Sequence, residues 1–427
     1  MLDVRLLREN PDLVRDNLKR RGEARYLTQL DALIEYDNVW RRSLTRLNDY
    51  RHQKNVLTNE IAGLKKEQQS TALKMGLVRD LSQKIEGLEK QVEEYAEKVT
   101  NTLLTIPNLL HDSVPFGADE HDNVVVKVSG APPTFDFQPQ NHLDLAVNLD
   151  LIDAERAAKI AGHGFIYLKG DLARLDYAIM VYAIDFLAER GYCLIEPPFM
   201  MRRKPYLGVT DLDFFGDQLY KIEGEDLYLI ATSEHPMAAF YMDEVINQSD
   251  LPIKFIGIST NFRKEVGAHG KYTKGLFRMH QFNKIEQFIF CLPEDSWTLH
   301  EELEKNAEDL YASLGLCFRV VNVCTGDIGL IASKKYDIEV WMADGEYREA
   351  GSNSNCTDYQ ARRLNIRYRV KEGQAPAGFV HTLNNTALAT SRTMMAILEQ
   401  YQQRDGYILV PPVLQPYLGG LERIESL

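Results

Sequence analysis

Residues 262–286 read Phe262-Arg263-Lys264-Glu265-Val266-Gly267-Ala268-His269-Gly270-Lys271-Tyr272-Thr273-Lys274-Gly275-Leu276-Phe277-Arg278-Met279-His280-Gln281-Phe282-Asn283-Lys284-Ile285-Glu286. One strand-like flank ends at Phe262 and another runs from Phe277 to Phe290, around a middle rich in Gly and Lys. This pattern predicts two antiparallel strands joined by a long cationic loop. Strand alternation puts Arg278, His280, Phe282, Lys284 and Glu286 on one face. Phe277, Met279, Gln281, Asn283 and Ile285 fall on the other, more apolar face. Arginine, an aromatic ring and a carboxylate on one face suit a phosphate, a base and an ammonium. A purely structural buried strand rarely carries so much polar side chain.

The chain around this stretch has 427 residues, 44% hydrophobic and 26% charged, which suits a soluble protein of two or three domains. No apolar run approaches bilayer length. The start, Met1 to Glu9, is charged and lacks the apolar core of a secretory signal, so a cytoplasmic protein is expected. The five cysteines (Cys193, Cys291, Cys317, Cys324 and Cys356) are widely spaced and form no Cys-x-x-Cys pair. They predict reduced, buried thiols, not a disulfide framework or a zinc ribbon. A net charge of −13 argues against a nucleic-acid partner, but the charge is uneven. Residues 1–110 hold 19 basic and 17 acidic side chains, a net of +2, which leaves −15 for the remainder. Any RNA contact is therefore expected to begin in the amino-terminal segment.

That segment carries two heptad-like seams. One runs through Leu30, Leu33, Trp40, Leu44, Leu47, Leu57, Ile61 and Leu64, interrupted by Asp37, Arg51 and Lys54. The other runs through Leu77, Leu81, Ile85, Leu88, Val92, Tyr95 and Val99. Glu67 to Thr71 suits a turn between them, which gives an antiparallel coiled-coil hairpin over about 28–100 within a helical arm, 1–110. Arg41, Arg42, Arg46, Lys65, Lys66, Lys74 and Arg79 lie off the seams and suit an anionic partner. Pro115-Phe116-Gly117 marks a linker, taken as 111–139, and 140–427 form the second domain. There, a helix over Leu175–Arg190 is followed by strands at Leu227–Ala231, Phe255–Ser259, Gln281–Phe290, Phe318–Val323, Ile338–Met342 and Leu364–Tyr368. Helices are predicted over Pro236–Gln248, Ser296–Gly315 and Ala387–Arg404. No Gly-x-Gly-x-x-Gly or Gly-Lys-Ser/Thr signature is present, so the fold class is α+β, a helical hairpin followed by an antiparallel sheet flanked by helices.

Phe-Arg-x-Glu followed by Arg-x-His-Gln-Phe-x-Lys-x-Glu resembles motif 2 of the class II aminoacyl-tRNA synthetases in its seryl form. Thr232-Ser233-Glu234 resembles the serine-pocket triplet of that family, and Ser354 to Arg363 the segment before motif 3. His381-Thr382-Leu383-Asn384, then Arg392 and Ala396 to Glu399, resemble motif 3. Leu175–Arg190 with Gly191 to Pro198 resembles motif 1, which in these enzymes forms a dimer interface. The likeness spans the whole chain in order, and the variants are of the archaeal and eukaryotic type with a coiled-coil arm.

The resemblance implies ATP-dependent activation of L-serine to seryl-adenylate and transfer to the 3′ end of tRNA(Ser), by a cytoplasmic homodimer using Mg²⁺. It assigns the α-phosphate and the serine carboxylate to Arg263, adenine positioning to Glu265, and the terminal phosphates to Arg278 and Arg392. These three arginines are the candidate catalytic residues; a planar fork suits phosphate better than an ammonium does. Phe282 and Arg392 are expected to enclose the adenine ring. Lys264, Met279, Ala350 and Gly351 complete the expected ATP contacts, with Glu349 and Ser352 holding both ATP and Mg²⁺. Serine is assigned to Thr232, Ser233, Glu234, Arg263, Glu286, Asn384 and Thr386. The helical arm is expected to grip tRNA(Ser). Carboxylates and hydroxyls without a large apolar set suit a small hydroxylated substrate.

The chain departs from the family pattern at Tyr272 in the motif 2 loop, and at Ala350, Gly351, Asn353 and Asn385. An alternative is a catalytically silent or redirected paralogue that uses the arm as an RNA-binding or scaffolding module. Such a chain should have lost charge at Arg263, Glu265, Glu349 and Arg392, and all four are intact. A ligase that loads a carrier protein is disfavoured by the long hairpin.

Overall fold

Two long helices follow directly from the apolar seams. The computed structural model describes residues 1–210, 216–265 and 275–426, and it divides into two compact units, Met1–Leu109 and Leu110–Leu427. In the first unit, short helices α1 (Val4–Glu9) and α2 (Pro11–Lys19) precede α3 (Ala24–Lys66) and α4 (Ala72–Thr105). With 43 residues, α3 is about 65 Å long. The turn falls at 67–71, where the sequence places it. Leu47, Ile85 and Leu88 form a small core between the two helices, and Tyr50 and Val92 pack against it. Asp37, an interruption of the seam by its type, is buried because Arg8 grips it with two bonds of 2.6 and 3.0 Å and Arg41 with a third contact of 3.0 Å. Of the cations off the seam, Arg41 pairs with Asp37 and Lys74 with Glu60.

In the second unit, eight strands form one sheet: β1 (Val124–Ser129), β2 (Cys193–Ile195), β3 (Ile253–Phe262), β4 (Gln281–Cys291), β5 (Phe318–Asn322), β6 (Lys334–Trp341), β7 (Tyr347–Asn355) and β8 (His381–Ala389). Their order is β1-β5-β6-β7-β8-β4-β3-β2. All neighbours are antiparallel except β2, which lies parallel to β3 at one edge. The stretch 111–139, expected as a linker, contains β1 at the opposite edge. Helices α5 (Gly170–Ala188), α6 (Ser296–Ser313) and α7 (Thr390–Gln400) bury their apolar sides in the main core with Ile285, Ile289 and Leu383 of the sheet. Phe288 and Phe290 point into a second core with Tyr206, Met237 and Phe255. The period-2 pattern of β4 thus separates two cores. No helix among the described residues is long and apolar enough to cross a membrane.

Four expectations need correction. The strand at Leu364–Tyr368 is only Arg367–Arg369, because Leu364 ends a helix, Tyr359–Leu364, and Asn365 takes a left-handed φ of 55°. The helix over Pro236–Gln248 is only Glu234–Ala238, because Asp243 takes a left-handed φ of 63° and Val245–Asn247 becomes a strand. Ala387–Ala389 belong to β8, not to the helix that follows, because β4 pairs with them as far as Ala389. The strand expected from Phe277 begins at Gln281; Gly275, with φ 73°, starts a 3₁₀ turn through Phe277. Residues 266–274, including Tyr272, lie outside the described residues.

Behind the sheet, α6 carries Glu304, only 4% exposed. One carboxylate oxygen accepts from Asn353 Nδ2 at 3.0 Å, and the other has no partner among the described residues. Burial pushes this carboxyl up from 4.5 to about 8. The folded chain therefore holds a proton that the unfolded chain releases, and stability falls as pH rises from about 4.5 to about 8. Glu304→Gln is expected to remove this dependence, raising the melting temperature most at about pH 8; differential scanning calorimetry across the window checks it.

Candidate active site

A cavity of about 390 Å³ opens on the face of the sheet where β4 turns polar. Phe282, Lys284 and Glu286 of β4 line it, as alternation requires, while Phe277, Arg278 and Met279 enter from the preceding turn. Thr386 and Asn384 come from β8; Glu349, Ala350, Gly351 and Ser352 come from β7. Arg392 projects from the first turn of α7, and Thr232 and Glu234 come from the start of the short helix Glu234–Ala238. Arg263 and Glu265 follow the end of β3. Two expected residues are not brought in. Ser233 is fully buried and donates to Gly257 O at 3.2 Å. Lys264 hydrogen-bonds through its backbone to Gln218 O and sets its ammonium 5.9 Å from the Tyr220 ring centroid.

One end of the cavity is built of carboxylates. Glu286 is 1% exposed and accepts from Thr386 Oγ1 at 3.1 Å. Lys284 Nζ stands 2.6 Å from the same carboxylate. Glu234 accepts from Gln360 Nε2 at 3.2 Å. Burial, reinforced by Glu286 and opposed by Lys284, pushes Glu234 up to about 7. His235 beside it is neutral, since burial drives it down to about 3, and its Nδ1 lies 3.1 Å from Tyr206 OH.

The other end is built of arginines and their acidic partners. Arg392 Nη1 donates to the backbone oxygen of Glu349 at 2.7 Å and to its carboxylate at 3.1 Å. Burial alone would raise Glu349, but Arg392, Lys335 and Arg263 outweigh it and hold the carboxyl at about 2. Arg278 is ion-paired with Glu265, whose φ of 49° is uncommon for a residue with a side chain. Between the two ends, Arg263 Nε donates to Ala231 O at 3.2 Å and its guanidinium lies 5.3 Å from the Phe282 ring centroid. Arg392 lies over Phe277, at 5.0 Å, which adds a second ring to the expected aromatic wall.

Sequence reading assigned no role to Lys284, Lys335, Cys356 or the segment 328–332, all of which line the cavity. Lys284 stands inside the quoted motif, so a signal was there. Lys335 and 328–332 had none, because they reach the site through β6 and the chain before it. Three of the departures from the family pattern, Gly351, Asn353 and Asn385, sit against defined neighbours. A Cβ on Gly351 would meet Thr386 O at 2.9 Å, Asn353 donates to His300 O at 3.0 Å, and Asn385 Oδ1 accepts from Gln287 at 2.8 Å.

A sheet of this order with motif residues on its central strands defines a class II aminoacyl-tRNA synthetase core. The model of the tRNA synthetase class II core domain (G, H, P, S and T) matches residues 219–401, and that of the seryl-tRNA synthetase N-terminal domain matches 1–110. The chain is 50% identical over 423 residues to a serine–tRNA ligase of Methanospirillum hungatei, covering 99% of this chain and 100% of that one. It is similar to the crystal structure of seryl-tRNA synthetase from Pyrococcus horikoshii complexed with ATP, with a TM-score of 0.95, 42% identity and full coverage of both chains. It is also similar to the cytoplasmic serine–tRNA ligase of Naegleria fowleri in complex with AMP, with a TM-score of 0.90, 37% identity, and coverage of 100% of this chain and 99% of that one. The chain belongs to the seryl-tRNA synthetase family.

Because Arg392 is the leading counter-charge to Glu349, Arg392→Ala is expected to release that carboxyl from about 2 toward the ordinary range near 4. A carbon-13 NMR titration of glutamate-labelled protein checks the shift.

Proposed function

We propose that the chain activates L-serine with ATP and transfers the seryl group to the 3′ end of tRNA(Ser). The observation that carries this reading is a single cavity with buried carboxylates at one end and arginines at the other. Glu234 and Glu286 suit the ammonium and hydroxyl of a small amino acid, with Thr232, Asn384 and Thr386 beside them. Arg263, between the two ends, suits the serine carboxylate and the α-phosphate together. The carboxylate oxygen attacks the α-phosphorus, the bond from that phosphorus to the bridging oxygen breaks, and pyrophosphate leaves. A carboxylate is already ionised and needs no general base, so the residues act by positioning and by electrostatic stabilisation. A terminal tRNA hydroxyl then attacks the acyl carbon, and AMP leaves.

Arg278, Arg392, Phe282, Glu265, Met279, Ala350 and Gly351 are assigned to ATP; the ATP and AMP bound in the two similar structures support the nucleotide. Glu349 and Ser352 are proposed to hold Mg²⁺: both are hard oxygen donors on β7 and both line the cavity. Bound there, the ion would neutralise phosphate charge. The helical arm is assigned to tRNA(Ser), the helix α5 region to a homodimer interface, and the protein to the cytoplasm.

Serine-dependent ATP–pyrophosphate exchange without tRNA, compared with threonine, alanine and glycine, tests the reading. Arg263→Ala should lower that exchange by the equivalent of about 3–4 kcal/mol while leaving the circular dichroism spectrum unchanged. Exchange within about tenfold of the parent would remove Arg263 from the chemistry. Deleting residues 36–96 with a short linker should preserve exchange and severely reduce aminoacylation of tRNA. Near-normal charging by that variant would make the hairpin a structural element, and loss of exchange would refute the division of labour.

A further inference from the structure

We propose that Lys284 is a positioning residue for the amino-acid end of the site, holding Glu286 so that one chosen carboxylate oxygen faces the substrate ammonium. The proposal rests on the reading above. Lys284 Nζ stands 2.6 Å from Glu286 Oε2, with side chains 7% and 1% exposed. Thr386 Oγ1 donates to the same Oε2 at 3.1 Å, and Lys284 Nζ reaches Thr386 Oγ1 at 3.4 Å. The three side chains form a closed triangle, and all three line the cavity. The ion-pair contact of Lys284 and the hydrogen bond of Thr386 both fall on Oε2. The carboxylate is therefore held through Oε2, and Oε1 is the oxygen assigned to the ligand.

A role in holding the fold together is the competing account. It fits poorly, because an ion pair taken out of water gains little net stability over apolar side chains of similar size. Lys284 also sits on β4 where alternation points toward the cavity, two residues from Glu286, with Phe288 and Phe290 of the same face already inside an apolar core. An apolar residue at 284 could satisfy packing alone. What it could not do is oppose the charge of two carboxylates, Glu234 and Glu286, that line one pocket. With Lys284 present, its ammonium offsets the repulsion that Glu286 exerts on Glu234. The choice of lysine follows from its shape. A compact ammonium on a flexible stem fits a single oxygen, whereas the planar fork of arginine would take both oxygens of Glu286.

The test is steady-state pyrophosphate exchange with the full chain, titrating serine at saturating ATP and ATP at saturating serine, for the parent protein, Lys284→Met and Lys284→Arg. The parent protein is read first, and absence of serine-dependent exchange there overturns the functional reading and this proposal with it. With parent activity in hand, Lys284→Met is expected to raise the serine KM roughly 10- to 100-fold, the range set by hydrogen bonds to a charged group, while the ATP KM stays within about twofold. Lys284→Arg should recover part of the loss, because the charge returns without the geometry. An unchanged serine KM, or serine and ATP KM rising together, overturns the role of Lys284 and leaves the functional reading standing. Should Lys284→Met fail to fold, Lys284→Gln, which keeps a donor of similar length, is read by the same serine-against-ATP comparison and the same two overturning results.

Discussion

The site depends on the register of three neighbouring strands. Gly257 of β3, Glu286 of β4 and Thr386 of β8 stand side by side across the sheet. A slip of one residue would send Glu286 and Lys284 to the helical face and bring Ile285 and Gln287 into the cavity. The opposite face prevents the slip with a buried amide network. Gln287 Nε2 donates to Asn385 Oδ1 at 2.8 Å, and Asn306 Nδ2 of α6 donates to Gln287 Oε1 at 2.9 Å. Each of these groups would be left unsatisfied in any other register, at a cost of about 1–3 kcal/mol apiece. Asn385 thus belongs to the set of interactions that holds Glu286 in place from behind.

The two ends of the cavity handle charge differently, and the side-chain types reflect that. At the carboxylate end, a lysine ammonium meets one oxygen of a buried glutamate, a point charge on a point. At the other end, Arg392 and Arg278 each pair with a glutamate, and their planar groups lie near Phe277 and the neighbouring turn. Planar guanidinium groups can hold phosphate oxygens and stack on a ring at the same time, which an ammonium cannot. Arg263 belongs to both ends. Its Nε bond to Ala231 O fixes it beside the segment that carries Thr232 and Glu234, and its face lies over Phe282.

Much of this was legible in the sequence, and the parts that were not share a cause. The seams of α3 and α4, the turn between them and the alternation in β4 are local patterns, and the structure follows them except at Leu77, which is exposed. β7 was missed as a strand because Gly351-Ser352-Asn353-Ser354-Asn355 has little strand propensity; pairing with β6 along its length and with β8 at its end supplies what the residues lack. The end of β8 was read as helix because Ala387 and Leu388 suit either state, and only the pairing with β4 decides. Lys335 shows the same limit for the site. It enters from β6, opposite Ser354, through a neighbour relation that no spacing in the sequence encodes. Ser233, by contrast, was carried along by the triplet around it, and the structure turns its hydroxyl back to Gly257.

The charge of the arm bears on the partner proposed for it. Residues 1–110 are only slightly basic in sum, and several of their charges pair internally: Asp37 with Arg8 and Arg41, Glu89 with Arg51 and Glu60 with Lys74. Arg42 and Arg46 are exposed and four residues apart on α3, so they share one helical face. What an incoming polyanion meets is the distribution of exposed charge, not the sum, because exposed charges beyond about 10 Å are screened at moderate salt. A net of −13 for the whole chain therefore does not oppose a phosphate contact on such a face, while the excess acid of the second unit disfavours non-specific RNA binding elsewhere. The same unevenness that made composition a poor guide to the partner thus favours the arm over the rest of the surface for the proposed phosphate contact.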